Sequence, residues 1–147
     1  MNRLFNSDFE ISLRLLTVMS HSKKKLSLDD AVALDFITIY AAQFNISNEN
    51  LHGNNSFMYS EFTSLRKVAK TAVKYLVLKG LISPSLDTDN GFLYSSTPLG
   101  DEFSNSLENE YSVKYRQLLN EVLSHTSSTP NINLTEFIYA NSVKGGN

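Results

Sequence analysis

The sequence lacks several features on which protein chemistry often depends. Its 147 residues include no cysteine, which excludes disulfides, thiolate metal sites and a cysteine nucleophile. Charged residues make up 19% of the chain and the formal net charge is −2, whereas a protein that coats nucleic acid through bulk charge is usually strongly basic. Composition alone therefore excludes classes of protein without identifying one.

Long apolar runs are missing as well. No stretch reaches the roughly 18 consecutive apolar residues that a membrane-spanning helix needs. Residues 1–6 have neither the basic start nor the apolar run of a signal peptide, and Asn2 stands where N-myristoylation requires glycine. We expect a cytoplasmic protein that makes no membrane contact.

Serine caps predict where the first two helices begin. Ser7 and Glu10 have capping-box spacing, and Ser27 precedes Asp29 and Asp30, whose charges are favourable in a first helical turn. The first helix is apolar around most of its circumference, which predicts burial on more than one side. It is either a core element or part of an interface.

An acidic residue interrupts the apolar side of the second helix. Asp35 lies near Leu28, Val32 and Ile39 when these residues are placed on a helical wheel. A carboxylate there is either buried with a partner or lies at the edge of the apolar surface. Arg14 on the first helix is a candidate partner, and we interpret both residues as structural.

The third predicted helix, from about Tyr59 to Lys79, has two chemically different faces. One face is apolar, and no acidic residue occurs between Leu65 and Lys79. The opposite face carries four cations, which are Arg66, Lys67, Lys70 and Lys74. These cations either contact nucleic-acid phosphates or only solubilise the helix, and no clear set of base-reading Asn, Gln and Arg side chains accompanies them.

The segments after the third helix have the order of a winged helix. Gly80 is typical of the residue after a helix, Asn90-Gly91 of a hairpin turn, and Thr97-Pro98 of a helix start. Short runs on both sides of the turn predict two strands, Leu81–Ser85 and Phe92–Ser96. We predict a mostly α fold with a small β-hairpin wing, in which a winged helix-turn-helix core carries extra N- and C-terminal helices.

The C-terminal part continues the helical pattern. Apolar and aromatic residues recur at four-residue spacing from Phe103 to about residue 125, with Gly100 and Asn109 as points where the helix could be irregular. A short helix or docked segment is predicted around Leu134–Ile138, and we expect residues 144–147 to be loose. We predict one winged-helix-like domain over residues 1–126 and a C-terminal extension over residues 127–147.

Motifs for catalysis are absent from the sequence. It contains no P-loop, nucleophile elbow or paired-carboxylate motif. His21, His52 and His125 share no metal-ligand spacing, so we interpret them as ordinary surface or packing residues, and the tyrosines as core or interface residues. We expect no catalytic residue, no metal and no cofactor, and an enzyme with an unrecognised site is the least favoured of three hypotheses.

Three short strings are more distinctive than the winged-helix pattern. They are Phe5-Asn6-Ser7 at the N-terminus, Leu34-Asp35-Phe36-Ile37 in the second helix and Leu51-His52-Gly53 in the loop after it. Together with the glycines and aromatic residues of the winged-helix pattern, they extend over most of residues 5–123. In these features the sequence resembles the middle component of ABC three-component systems, the small subunit of Lamassu-type defence modules.

The resemblance implies a non-catalytic winged-helix subunit that bridges or regulates two partners. These would be an SMC-like coiled-coil ABC ATPase and an effector subunit, often a nuclease, in a prokaryotic complex that senses phage or plasmid DNA. Contact of this subunit with double-stranded DNA, direct or through the partners, stays open. The alternative hypothesis is a stand-alone winged-helix transcriptional regulator that binds DNA as a symmetric dimer.

Overall fold

The computed structural model describes residues 7–53, 57–129 and 132–145 of the chain, with side chains as far as Asn141. Over these residues the chain forms helices and one two-stranded hairpin, in agreement with the predicted mostly α class. Predictions that concern Phe5-Asn6 and residues 146–147 fall outside the described part. In chain order the elements are α1 (Asp8–His21), α2 (Leu28–Ile39), α3 (Met58–Leu78), β1 (Ile82–Asp87), β2 (Gly91–Ser96), α4 (Pro98–Asn105), α5 (Glu110–Ser127) and α6 (Leu134–Gly145).

Helix α1 is a core element. Ser7 Oγ accepts a hydrogen bond from the backbone N–H of Glu10 at 3.2 Å, so the helix begins where the capping spacing predicted. Buried residues lie on more than one side of α1, because the helix packs against α2, α3, α4 and β2. Of the two interpretations of this helix, the core interpretation is confirmed.

Helix α2 is enclosed by other helices. Ser27 Oγ accepts a hydrogen bond from the backbone N–H of Asp30 at 3.1 Å and caps its start. Every residue from Ala31 to Ile39 is buried, because α1, α3, α5 and α6 all pack against this helix.

No helix in the described part of the chain is both long enough and apolar enough to cross a membrane.

The hairpin formed by β1 and β2 has glycine where its backbone requires it. Gly80, between α3 and β1, and Gly91, at the start of β2, have φ values of 75° and 74°, which side chains rarely tolerate. Asp87 closes the turn between the strands by accepting hydrogen bonds from the backbone N–H groups of Asp89 and Asn90. The predicted turn and both predicted strands are confirmed.

Strand β2 lies between β1 and a single residue of the α1–α2 link. The backbone N–H groups of Leu26 and Tyr94 each donate to the carbonyl of the other residue, at 3.0 and 2.7 Å. Both backbone polar groups of Tyr94 therefore point away from β1. Pro84, which is opposite Tyr94 in the register, consequently directs its own backbone toward the outer side of β1.

The C-terminal helical pattern breaks at one of the two predicted irregular points. Asn109 Oδ1 accepts a hydrogen bond from the backbone N–H of Ser112 at 2.9 Å and caps α5. Gly100, the other point, instead lies within α4. A Cβ atom on Gly100 would overlap the backbone carbonyl of Leu81, so the glycine allows α4 to approach the end of α3 closely.

Helix α6 packs on α2, where the sequence predicted a short helix or docked segment. Leu134 and Ile138 are buried, and the rings of Phe137 and Phe44 stack with their centroids 5.5 Å apart. The helix continues to Gly145, so Lys144 and Gly145 are helical rather than loose as expected. The domain boundary at residue 126 stays a prediction.

Candidate functional site

The structure brings Arg14 of α1 and Asp35 of α2 together in the core. The guanidinium donates hydrogen bonds from Nε to Asp35 Oδ1 at 2.9 Å and from Nη2 to Asp35 Oδ2 at 3.1 Å. The hydroxyl of Tyr115, on α5, donates to Oδ1 at 2.6 Å. This group joins helices α1, α2 and α5. The side chains of Arg14 and Asp35 are only 2% and 1% exposed, so their charges are shielded from water.

Burial and charge act in opposite directions on these groups. Burial disfavours the charged guanidinium, but the Asp35 carboxylate outweighs it and holds the pKa of Arg14 above its usual value. Burial, reinforced by the charge of Asp35, raises the pKa of Tyr115 well above its usual value. Arg14 therefore stays charged, and Tyr115 keeps the proton that it donates to the carboxylate.

A second set of polar side chains lies beside the Arg14–Asp35–Tyr115 group. His52 Nε2 is 2.7 Å from the hydroxyl of Tyr111, and His52 Nδ1 is 4.0 Å from Glu61 Oε2. Tyr40 donates a hydrogen bond to Glu61 Oε1 at 2.5 Å. We call these seven residues the buried polar cluster; they come from α1, α2, α3, α5 and the connection between α2 and α3.

Tyr111, His52 and Glu61 have the outline of a nucleophile, a base and an orienting carboxylate, but their surroundings act against that use. Burial, helped by the positive charge of Arg14, lowers the pKa of His52 to about 3. Burial raises the pKa of Tyr111 above its usual value. An activated nucleophile needs a lowered pKa, and a general base needs a pKa near the working pH. The hydrogen bonds of the cluster fasten four helices and a loop to one another.

The space beside the cluster is small. A cavity of about 20 Å³, with Arg14, Tyr111 and Tyr115 in its wall, has room for about one water molecule. Over residues 7–53, 57–129 and 132–145, no group of three or more His, Asp or Glu side chains is arranged to hold a metal ion. Next to Arg14, Tyr111 and Tyr115, the space beside the buried polar cluster is therefore about the size of a water molecule.

The cations predicted on α3 have two different environments. Arg66 donates hydrogen bonds from Nε and Nη2 to Asp29 Oδ1, at 3.3 and 3.0 Å, and so joins α3 to the start of α2. Lys67, Lys70 and Lys74 are exposed and follow one line along the helix. We call these three residues the lysine face. Arg66 therefore differs from the three lysines in having a carboxylate partner.

Several large apolar side chains are also exposed. Phe9 on α1 and Leu99 on α4 are 59% and 55% exposed, and Phe103 on α4 is exposed as well. At the tip of the hairpin, Leu86 and Phe92 face each other across the strands and are both exposed. Single exposed apolar residues are ordinary, but several on neighbouring elements are typical of a protein that binds partners.

Sequence reasoning did not anticipate the polar contacts of His52, Tyr111 and Tyr115. His52 and Tyr111 are 59 residues apart, so no local spacing connects them. The tyrosines at four-residue spacing fitted an apolar pattern, which is correct for their rings and leaves out their hydroxyls. One signal could have indicated the contact of Tyr115. A buried carboxylate ion such as Asp35 needs several hydrogen-bond donors, so a donor besides Arg14 was to be expected.

Comparison with known protein families identifies a match that covers most of the chain. The family described as "ABC-three component (ABC-3C) system Middle Component 2" matches residues 4–147 of the chain. No curated protein and no solved structure matches significantly. A middle component of a three-component system is one subunit among several, and this family points to a multi-subunit defence system. Since the match extends over nearly the whole sequence, the chain belongs to the middle component 2 family of ABC-three component systems.

Proposed function

We propose that this protein is a non-catalytic interaction subunit of a prokaryotic defence complex directed against phage or plasmid DNA. In this proposal it bridges or regulates an SMC-like ABC ATPase and an effector nuclease, as in Lamassu-type modules, and acts in the cytoplasm. The observation that carries the proposal is the family match over residues 4–147, because a middle component requires partner subunits.

The arrangement of elements supports a winged-helix core. Helices α1, α2 and α3 precede the β1–β2 hairpin, and Leu26 adds a single-residue bridge on the free side of β2. The hairpin would then be the wing and α3 the helix before it. One feature departs from a compact helix-turn-helix: residues 40–57 separate α2 from α3, where a turn of three or four residues is usual.

The exposed apolar side chains support a role in binding other subunits. Phe9 on α1 and Leu99 and Phe103 on α4 belong to two helices that pack against each other. Apolar and aromatic residues are enriched at the centres of protein interfaces, where they contribute most of the binding energy. The absence of a catalytic role is supported by the pKa directions in the buried polar cluster, where the pKa of Tyr111 is raised rather than lowered.

Affinity purification of the tagged full chain from cells that express its complete system tests the proposal. We expect a large coiled-coil ATPase and a further subunit to co-purify. Phe9→Ser combined with Phe103→Ser should reduce that recovery, whereas Glu102→Ser, at an exposed polar position of α4, should not. A chain that recovers no partner subunit from such cells would contradict the proposed function.

The second candidate function is a stand-alone DNA-binding regulator. It is favoured by the exposed lysines on α3, the helix that precedes the hairpin. It is disfavoured by the composition of α3, which contains no Asn or Gln and whose single arginine, Arg66, pairs with Asp29. A homodimer of the isolated chain that protects a defined palindrome would favour this candidate over the first.

A further inference from the structure

The lysine face is a continuous line of positive charge. Lys67, Lys70 and Lys74 are three and four residues apart on α3, so their side chains leave the same face of the helix. At 1.5 Å of rise per residue, the line is about 10 Å long. All three side chains are exposed, and Ser64 and Thr71 are exposed beside them.

The positive charge of this face is not balanced locally. Two other cations of the described surface have carboxylate partners, Arg66 with Asp29 and Lys114 with Glu49. No ion pair among the described residues includes a member of the lysine face. Like charges at these spacings repel one another along a helix, so the face is suited to an external partner of opposite charge.

The chemistry of the face fits phosphate groups better than an acidic protein. Lysine is depleted at protein–protein interfaces, which favour aromatic residues, Met and Arg. Lysine together with serine and threonine hydroxyls is typical of contacts to the phosphates of nucleic acids. A line of about 10 Å is long enough for successive phosphates of one strand.

The same face is suited to the duplex backbone rather than to bases. Single-stranded nucleic acid is usually bound by aromatic rings on which bases stack. Tyr75 follows Lys74 in the sequence of α3, and Lys79 Nζ lies 5.6 Å from the centre of its ring. Reading of base edges needs Asn, Gln or free Arg side chains, and α3 offers none of these.

We propose that the lysine face of α3 binds the phosphate backbone of double-stranded DNA without reading its sequence. The inference rests on the proposed function for its setting, a complex that responds to foreign DNA, and names a DNA-contacting surface on this subunit. It predicts weak, salt-dependent binding, because only about three phosphates are neutralised.

Fluorescence anisotropy with the full chain and a labelled duplex of random sequence tests this inference. For three neutralised phosphates, the logarithm of the binding constant should fall against the logarithm of salt concentration with a slope of about −2.7. The triple variant K67Q/K70Q/K74Q should bind at least about ten-fold more weakly at about 50 mM salt and should have a flatter slope. Binding should not change when the base sequence of the duplex is changed.

The matched control removes the same charge elsewhere. Lys23, Lys24 and Lys25 are exposed in the link between α1 and α2, and K23Q/K24Q/K25Q should bind DNA within about two-fold of the unchanged chain. Equal loss in both variants would show a bulk charge effect and overturn the inference. Failure of the unchanged chain to bind, or a strong preference for one sequence, would overturn it as well.

Co-purification separates this inference from the proposed function. The lysine-face variant should still recover the partner subunits, because the proposed DNA surface is not the subunit interface. If that variant loses its partners and its DNA affinity is unchanged, the face binds protein and the inference is wrong, while the proposed function stands. Conversely, DNA binding without partner subunits would support the inference and contradict the proposed function.

Discussion

The guanidinium of Arg14 and the carboxylate of Asp35 form two parallel hydrogen bonds in the core, between helices α1 and α2. Breaking a buried ion pair from one side is costly, because the remaining charge loses its compensation. We therefore expect Asp35→Ala to lower the free energy of unfolding by about 3–5 kcal/mol, measured by urea denaturation.

The control for this prediction is the exposed pair between Arg66 and Asp29, in which the two side chains are 41% and 57% exposed. Asp29→Ala should cost less than about 1 kcal/mol, because exposed ion pairs contribute little. If Asp29→Ala and Asp35→Ala lowered the free energy of unfolding by similar amounts, the prediction that the buried pair contributes more would be wrong.

His52 should make the stability of the protein depend on pH. Its pKa is about 3 in the folded protein, against 6.5 for an unperturbed histidine. Between these values the unfolded chain takes up a proton that the folded chain does not, so stability is complete above about pH 6.5 and falls as the pH is lowered. At about pH 5 the loss from His52 is about 2 kcal/mol.

Urea denaturation at about pH 7.5 and pH 5 measures this effect. His52→Gln should reduce the difference in unfolding free energy between the two conditions by about 2 kcal/mol. His125→Gln changes a histidine that is exposed on α5, and it should leave the difference as it is. An unchanged pH dependence in His52→Gln would contradict the lowered pKa.

Gly100 should not tolerate alanine, although alanine is the better helix former. A Cβ atom at this position would overlap the backbone carbonyl of Leu81, which cannot move as a flexible side chain can. We expect Gly100→Ala to destabilise the protein by about 2 kcal/mol or more, measured as a lower midpoint of thermal unfolding. Glu102→Ala, at an exposed position of the same helix, should change stability by less than about 0.5 kcal/mol.

Helix α6 should unfold together with the rest of the described core. Ile138 is fully buried where α6 packs on α2, so Ile138→Ala should cost about 2–5 kcal/mol. Glu136→Ala, on an exposed part of α6, should cost less than about 0.5 kcal/mol. A separate, earlier transition in the Ile138→Ala variant would instead support an independent extension after residue 126.

Local chemistry made much of this fold predictable from the sequence. The serines at positions 7 and 27 and the glycines at 80 and 91 each act within a few residues, so their spacing was sufficient. Asn109 was predicted only as an irregular point, and the structure shows that it caps α5. The helix beginning at Pro98 is similar, because Thr97 Oγ1 accepts a hydrogen bond from the Gly100 N–H at 3.0 Å. Predictions of this kind need no knowledge of the tertiary arrangement.

Contacts between elements that are distant in the sequence were harder to predict. The pairing of Arg14 with Asp35 could be anticipated because a carboxylate on an apolar helix face needs a partner. The pairing of Arg66 with Asp29 could not be anticipated from the sequence, because it depends on how α2 and α3 cross. Notably, two of the strings that carried the family resemblance contain Asp35 and His52, which the fold brings into one cluster.

Pro84 limits how this protein can join its partners. Its backbone faces the outer side of β1, where it offers no N–H group to an additional strand. A neighbouring subunit that added a strand here would therefore lack one ladder hydrogen bond in the middle of β1. The missing donor weakens strand pairing along this edge, which also disfavours edge-to-edge aggregation of the isolated chain.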